Sequence, residues 1–173
     1  MKALLVKHGV DGVWHFTDQS NLQSIIDNKG LFSLAEAESR GLKIPAPGGN
    51  EWSHTADKIN NVDNYVHLAF IDDHPMLFHT RSDGRTPNPI WLKVSIDILD
   101  FPGVQYTADV SNKAGVPLLA PETAREKIDL EAMFTYMDWK DPEVRQRRNL
   151  ALRSEILIPR LIPINMILGK KNG

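Results

Sequence analysis

The 173-residue sequence contains no cysteine, which removes disulfides, zinc–thiolate centres and thiol nucleophiles together. Any chemistry must therefore come from carboxylates, histidines, hydroxyls or a bound cosubstrate. Long apolar runs are missing too. Runs such as Ile156–Ile158 and Met166–Leu168 fall far short of a bilayer crossing, and the start Met1-Lys2-Ala3-Leu4-Leu5-Val6-Lys7-His8 lacks a signal-peptide core. The expectation is a soluble, cytoplasmic protein with no membrane contact. Nor is there an excess of positive charge. A net charge of −2 argues against the broad basic surface that coats long nucleic acid by counterion release, while leaving room for a small basic groove. Three signature turns are also absent: Gly-x-x-x-x-Gly-Lys, Gly-x-Gly-x-x-Gly and Gly-x-Ser-x-Gly. A dinucleotide would have to bind without a Rossmann fold, and a Ser–His–Asp hydrolase is disfavoured.

With 42% hydrophobic residues and no low-complexity tract or linker, the chain reads as a single domain over residues 1–173 with one sizeable core and one active site. Val10–Phe16 reads as a buried strand rich in Val, Trp and Phe. A helix follows, capped by Asp18 or Ser20, with Leu22, Ile25 and Ile26 on one face and Gly30 as the left-handed terminating residue. Ser33-Leu34-Ala35-Glu36 matches a capping box and opens a second helix ending near Gly41. Lys43–Asn64, with Pro45, Pro47, Gly48 and Gly49, reads as a long functional loop. Tyr65–Phe70 has apolar residues on both faces, as a central strand would. Pro75–Thr80 reads as a helical turn or a strand, Asp83-Gly84 as a turn, and Ile90–Ile96 as a strand. Pro121–Phe134 reads as a helix, Asp141-Pro142 as a helix start, and Glu155–Ile158 and Ile164–Leu168 as closing strands. Short strands without regular strand–helix alternation predict an α+β fold with a mainly antiparallel sheet.

Trp14-His15-Phe16-Thr17-Asp18, followed by Asn21-Leu22, combines a strand, a sharp turn and a helix start. Alternation along the strand puts His15 and Thr17 on one face and Trp14 and Phe16 on the other. Two polar groups beside a helix start can hydrogen-bond a ribose hydroxyl or a nicotinamide amide, although a strand histidine also serves as a structural residue. His67, His74 and His79 raise the possibility of zinc, but their spacing matches no compact ligand motif, and no metal is expected. Glu155, in Arg153-Ser154-Glu155-Ile156-Leu157-Ile158-Pro159, is either an edge-strand charge or a placed catalyst. Spacing alone slightly favours the edge charge. Arg145, Arg147, Arg148, Arg153 and Arg160 crowd the C-terminal third, as a solvated helix face or as phosphate contacts.

Taken together, Trp14-His15-Phe16-Thr17 with Asn21-Leu22 and Ile26, Tyr65-Val66-His67-Leu68-Ala69-Phe70 with His74-Pro75-Met76, and Ser154-Glu155-Ile156-Leu157-Ile158-Pro159 resemble the DarT family, bacterial toxins that ADP-ribosylate DNA bases. The resemblance implies an ADP-ribosyltransferase-like split antiparallel β-sheet with flanking helices and NAD⁺ held as cosubstrate in a central cleft. It implies that His15 and Thr17 contact NAD⁺, that Asn21 supports that region, that Tyr65, His67 and Met76 complete the cosubstrate site, and that Glu155 is the catalytic glutamate. Breaking the nicotinamide–ribose bond develops an oxocarbenium-like cation, which a carboxylate holding the ribose hydroxyl can orient and stabilise. Family members carry an arginine near Gly48-Gly49-Asn50-Glu51-Trp52-Ser53-His54. Here His54 stands about where that arginine is expected and becomes the second catalytic candidate, without arginine's permanent charge and planar fork.

By the same resemblance, the segment before Glu155 recognises the target. Tyr136 and Trp139 would stack on an unpaired base, with Arg145, Arg148 and Arg153 on phosphates, unless Trp139 is core and the arginines are solvated. The implied function is transfer of ADP-ribose from NAD⁺ to a nucleobase of single-stranded DNA, with nicotinamide leaving. Such a toxin would have an antitoxin protein as partner. The rival readings are an RNA or protein acceptor on the same fold, and a catalytically silent domain that binds NAD⁺ or nucleic acid.

Overall fold

The computed structural model describes residues 1–75, 77, 80, 84 and 86–173. Every strand pairing among the described residues is antiparallel. The main sheet contains β1 (Gly12–Asp18), β3 (Tyr65–Ala69), β4 (Pro89–Ser95), β5 (Gln105–Thr107), β6 (Glu155–Pro159) and β8 (Ile167–Asn172), in the order β5-β6-β3-β1-β4-β8. A second, two-stranded sheet joins β2 (Gly30–Phe32) to β7 (Leu161–Pro163) and packs beside β3. Helices flank these sheets: α1 (Lys2–Lys7), α2 (Leu22–Asp27), α3 (Leu34–Ser39), α4 (Glu51–Ile59), α5 (Pro121–Lys127), α6 (Leu130–Phe134) and α7 (Pro142–Ala151). Among the described residues no helix is long and apolar enough to cross a membrane.

Alternation along the strands builds the core. Val13 of β1, Leu92 and Val94 of β4, Leu68 of β3 and Ile156 and Ile158 of β6 are buried in one cluster with Leu5, Ile25, Ile98, Leu130 and Ile162. Burying each such side chain contributes roughly 1.5–3 kcal/mol. The second sheet shares this core through Leu31 and Ile162.

Local signals set the helix starts. The Ser33 hydroxyl accepts the Glu36 N–H at 3.3 Å, while the Glu36 carboxylate turns outward to Arg40 and Arg160. Asp141 accepts the Glu143 N–H at 2.8 Å, with Pro142 in the first turn of α7. Asp18 accepts from Ser20 N–H and, with its other oxygen, from Asn88 N–H, both at 2.9 Å, so it closes the turn after β1 and ties it to the approach to β4.

Five expectations about the elements need correction. The first strand runs two residues further than expected, to Asp18. Gly30 does not end α2: the left-handed residue is Lys29, with φ 56°, and Gly30 lies in β2, where a Cβ would come within 2.9 Å of the Ile162 carbonyl oxygen. The stretch 43–64 is not all loop, because Asn50 accepts the Ser53 N–H at 2.8 Å and starts α4. The helix expected over 121–134 breaks at Ile128 and Asp129, where Asp129 caps α6 by accepting the Ala132 N–H. In addition, the expected strand at 164–168 begins as a single helical turn over Ile164–Met166 before β8. Of the segment expected as a helical turn or a strand at 75–80, Met76, Phe78 and His79 lie outside the described residues, as does Asp83 of the expected turn.

Candidate active site

The sheet divides between β1 and β3. Their register pairs only Trp14 with Ala69, whereas β1 pairs with β4 along its full length and β3 with β6 along its own. Beyond that one pair, a side chain spans the gap: the His15 imidazole donates from Nδ1 to the His67 carbonyl at 2.9 Å. A cavity of about 230 Å³ opens there, with His15, Thr17, Tyr65, His67 and Glu155 among its lining residues. The ladder also fixes which way these groups face. Glu155 stands opposite Ala69 and Ala69 opposite Trp14, so Glu155, His67 and Trp14 leave one face of the sheet while His15 and Thr17 leave the other. Only because the strands part can both sets reach one cleft.

Glu155 is not an edge charge. It begins β6, which lies between β5 and β3, and the residue is 6% exposed. One carboxylate oxygen, Oε2, accepts from the Ser111 hydroxyl at 2.6 Å and from His67 Nδ1 at 3.0 Å. The other, Oε1, lies 3.7 Å from His74 Nε2. Burial pushes the Glu155 carboxyl up, but His67, His74 and Ser111 together hold it below its ordinary value. Burial likewise opposes a charged His67, yet the bonded Glu155 carboxylate and nearby Asp57 prevail and push its pKa up to about 9. With both ring N–H groups donating, Nδ1 to Glu155 and Nε2 to the Val62 carbonyl at 3.2 Å, His67 is an imidazolium holding an ionised carboxylate.

His15 is its electrostatic opposite. Burial pushes its pKa down to about 4, so at neutral pH it carries one proton, held at Nδ1 by the His67 carbonyl, and Nε2 is left as an acceptor.

Asn21 braces the cavity wall. Its side-chain amide donates to Thr17 Oγ1 at 2.9 Å and to the Ala46 carbonyl at 2.7 Å, while its oxygen accepts the Ala46 N–H at 2.9 Å. The proline- and glycine-rich loop before α4 is thereby fastened to β1. At the far end of that loop, Gly49 packs against His54, so that a Cβ there would meet the ring at 2.6 Å. α4 presents Ser53, His54 and Asp57 to the cavity, and burial pushes the Asp57 carboxyl up.

Ser111 and Asp57 were missed by sequence reasoning. Ser111 sits in Val110-Ser111-Asn112, which matches no motif, and its neighbour Asn112 donates to Ser53 Oγ at 3.0 Å, linking α4 to the segment that holds Glu155. Met76 and His79 lie outside the described residues, and among those described no group of three or more His, Asp or Glu side chains could hold a metal ion.

The residues expected to meet nucleic acid form a separate group. Tyr136 is 86% exposed and packs edge-on against Trp139 at 6.2 Å. Arg148 lies 4.9 Å over the Trp139 ring and donates to the Ala132 and Met133 carbonyls at 3.0 and 2.9 Å, binding the end of α6. Arg153 pairs with Asp109 at 2.8 Å. Arg145 is exposed, with no side-chain partner among the described residues.

Residues 14–169 match the model of the family described as "ssDNA thymidine ADP-ribosyltransferase, DarT". The chain belongs to the DarT family. No curated protein sequence matches it. Solved DarT structures share its fold. Thermus sp. 2.9 DarT in complex with ADP-ribosylated ssDNA aligns with a TM-score of 0.64 at 16% identity, over 91% of this chain and 78% of that one. The same enzyme in complex with NAD⁺ aligns at 0.58 and 19% identity, over 91% and 79%. Thermosipho africanus DarTG in complex with ADP-ribose aligns at 0.67 and 13% identity, over 93% of this chain and 43% of that one. The split antiparallel sheet with flanking helices is thus the DarT fold.

Proposed function

We propose that this single domain, residues 1–173, binds NAD⁺ in the cleft between β1 and β3 and transfers ADP-ribose to thymidine in single-stranded DNA. The observation that carries the reading is the Glu155 carboxylate, buried, ionised and held through one oxygen by His67 and Ser111, inside a cavity walled by His15 and Thr17. Family membership supplies the acceptor, and the NAD⁺ complex of the Thermus enzyme supports the donor.

In this reading Oε1 of Glu155 takes a ribose hydroxyl, His15 Nε2 accepts a hydrogen bond from the cosubstrate, and Tyr65 completes its site. The nicotinamide–ribose C–N bond breaks with its electron pair leaving on nicotinamide. A thymine ring nitrogen forms the new bond to the ribose carbon and gives up its proton, for which His54 is the cleft-facing acceptor. Because the carboxylate is fixed before substrate arrives, little reorganisation is needed as positive charge develops. Tyr136, Trp139, Arg145, Arg148 and Arg153 are the candidate contacts to the strand. An antitoxin partner also belongs to this reading, supported by the likeness to a DarTG structure.

Labelled NAD⁺ incubated with a thymidine-containing single strand, matched RNA and bulk protein, with products read by mass spectrometry, tests the proposal. ADP-ribose on thymidine is the expected product. Glu155→Ala should lower transfer on the order of 10²-fold or more with folding retained. Label on RNA or protein alone would move the acceptor, and near-parental turnover by folded Glu155→Ala would remove the central assignment.

A further inference from the structure

The charges that line the cleft do not cancel. Glu155 and the His67 imidazolium neutralise each other through their bond at 3.0 Å, and burial lowers the pKa of both His15 and His74. Among the described residues that line the cavity there is no lysine or arginine. Two aspartates remain, Asp57 and Asp63, and Asp57 is the one that faces His67 and Glu155. It lies on α4, three residues after His54, with its carboxylate supported by the Asn112 side chain. Its Oδ1 is buried and has no hydrogen-bond partner among the described residues. A buried acceptor left unmet is destabilising, so its place in a binding cavity makes sense if the ligand answers it.

We infer that Asp57 is the counter-ion for the positive charge of the nicotinamide ring, and so the residue by which the cleft tells NAD⁺ from NADH. This inference rests on the NAD⁺ reading above. The oxidised ring carries a formal positive charge at the nitrogen bonded to ribose, and the reduced ring is neutral. Glu155 cannot answer that charge alone, because its own is already engaged by His67. Asp57 brings the negative charge that no cation of the wall offsets. Burial pushes the Asp57 carboxyl up, and a cation set against it works in the opposite direction, so cosubstrate and carboxylate stabilise each other's charged forms. When the C–N bond breaks, its electron pair passes to nicotinamide, which leaves neutral, and the positive charge passes to the ribose. Asp57 therefore favours the bound ground state as well as the transition state, and its loss should appear in KM for NAD⁺ more than in kcat.

Calorimetry at neutral pH on the parent, Asp57→Asn and Asp57→Glu, with three probes, tests the inference. The first probe is carba-NAD⁺, which keeps the cationic ring and resists cleavage because a carbocycle replaces the nicotinamide ribose. The others are NADH, with a neutral ring, and ADP-ribose, with none. The parent should prefer carba-NAD⁺ to NADH on the order of tenfold or more, the scale of one opposite charge in a partly buried site. Asp57→Asn should erase most of that preference by weakening carba-NAD⁺ alone, and Asp57→Glu should restore part of it. In transfer assays Asp57→Asn should raise KM for NAD⁺ by a similar factor, with a smaller change in kcat. Equal affinity of the parent for carba-NAD⁺ and NADH would overturn the inference, as would a folded Asp57→Asn that keeps the parental preference. So would a parallel loss for all three probes, the mark of a residue that only shapes the wall. Failure of the NAD⁺ reading looks different, since the parent would then bind none of the three.

Discussion

At the residue scale the site turns on a pair of charges that burial alone would neutralise. His67 holds its proton because Glu155 and Asp57 face it, and Glu155 loses its proton because His67, His74 and Ser111 face it. Each makes the other's ionisation tolerable in a partly dry cleft. Stability should therefore depend on pH with opposite signs at the two ends. The His67 pKa is raised from 6.5 to about 9, so its contribution is complete below 6.5 and is lost as pH rises through about 9. The Glu155 pKa lies below 4.5, so its contribution is present above 4.5 and is lost as pH falls through the lowered value. Urea unfolding of the parent should show stability falling between neutral pH and pH about 9, and His67→Gln should abolish that fall. A parent-like alkaline slope in His67→Gln would place the titrating group elsewhere. None of this pairing is written in local spacing. Around Glu155 the spacing slightly favoured an edge charge, because whether a strand lies at an edge or in the middle depends on β3 and β5, far away in the chain. Ser111 is 44 residues from the carboxylate it holds.

At the element scale, signals confined to a few residues were legible and those needing a partner were not. The Ser33 cap, the Asp141-Pro142 start and the apolar runs of β1, β3 and β4 announce themselves, since each depends on its own side chains. β2 and β5 have three residues each and exist through their pairing with β7 and β6. α4 was hidden by the prolines and glycines just before it, although Asn50 three residues before Ser53 is an ordinary start signal. The loop before α4 keeps its shape through Asn21, which offers both donor and acceptor to Ala46. Asn21→Ala would remove three hydrogen bonds, of about 0.5–1.5 kcal/mol each, from the wall of the cleft. The expected outcome is weaker NAD⁺ binding by calorimetry with a thermal midpoint lowered by a few degrees. Asn21→Asp keeps the acceptor for Ala46 N–H and should recover part of the affinity. Parental affinity in Asn21→Ala would mean that the loop is held by other contacts.

At the scale of the whole molecule, the C-terminal segment knits the fold together. β6 sits in one half of the main sheet, β7 closes the second sheet, and β8 forms the far edge of the other half, all within residues 155–172. Between those halves runs the seam at Trp14 and Ala69, and it gives the protein a strand edge that faces inward. Sheet edges are ordinarily hazards because their backbone groups invite stray partners. Here the unladdered margins of β1 and β3 are sheltered from other chains by the walls of the cleft and open only to something slender enough to enter. In the function proposed above, NAD⁺ bound there takes the place of the missing ladder. Amide hydrogen exchange along residues 15–17 and 65–67 should accordingly slow when NAD⁺ binds, while amides in the continuous pairing of β4 with β8 keep their rates. Exchange that slows equally in both regions would mean that the ligand tightens the protein as a whole and that the seam is not its seat.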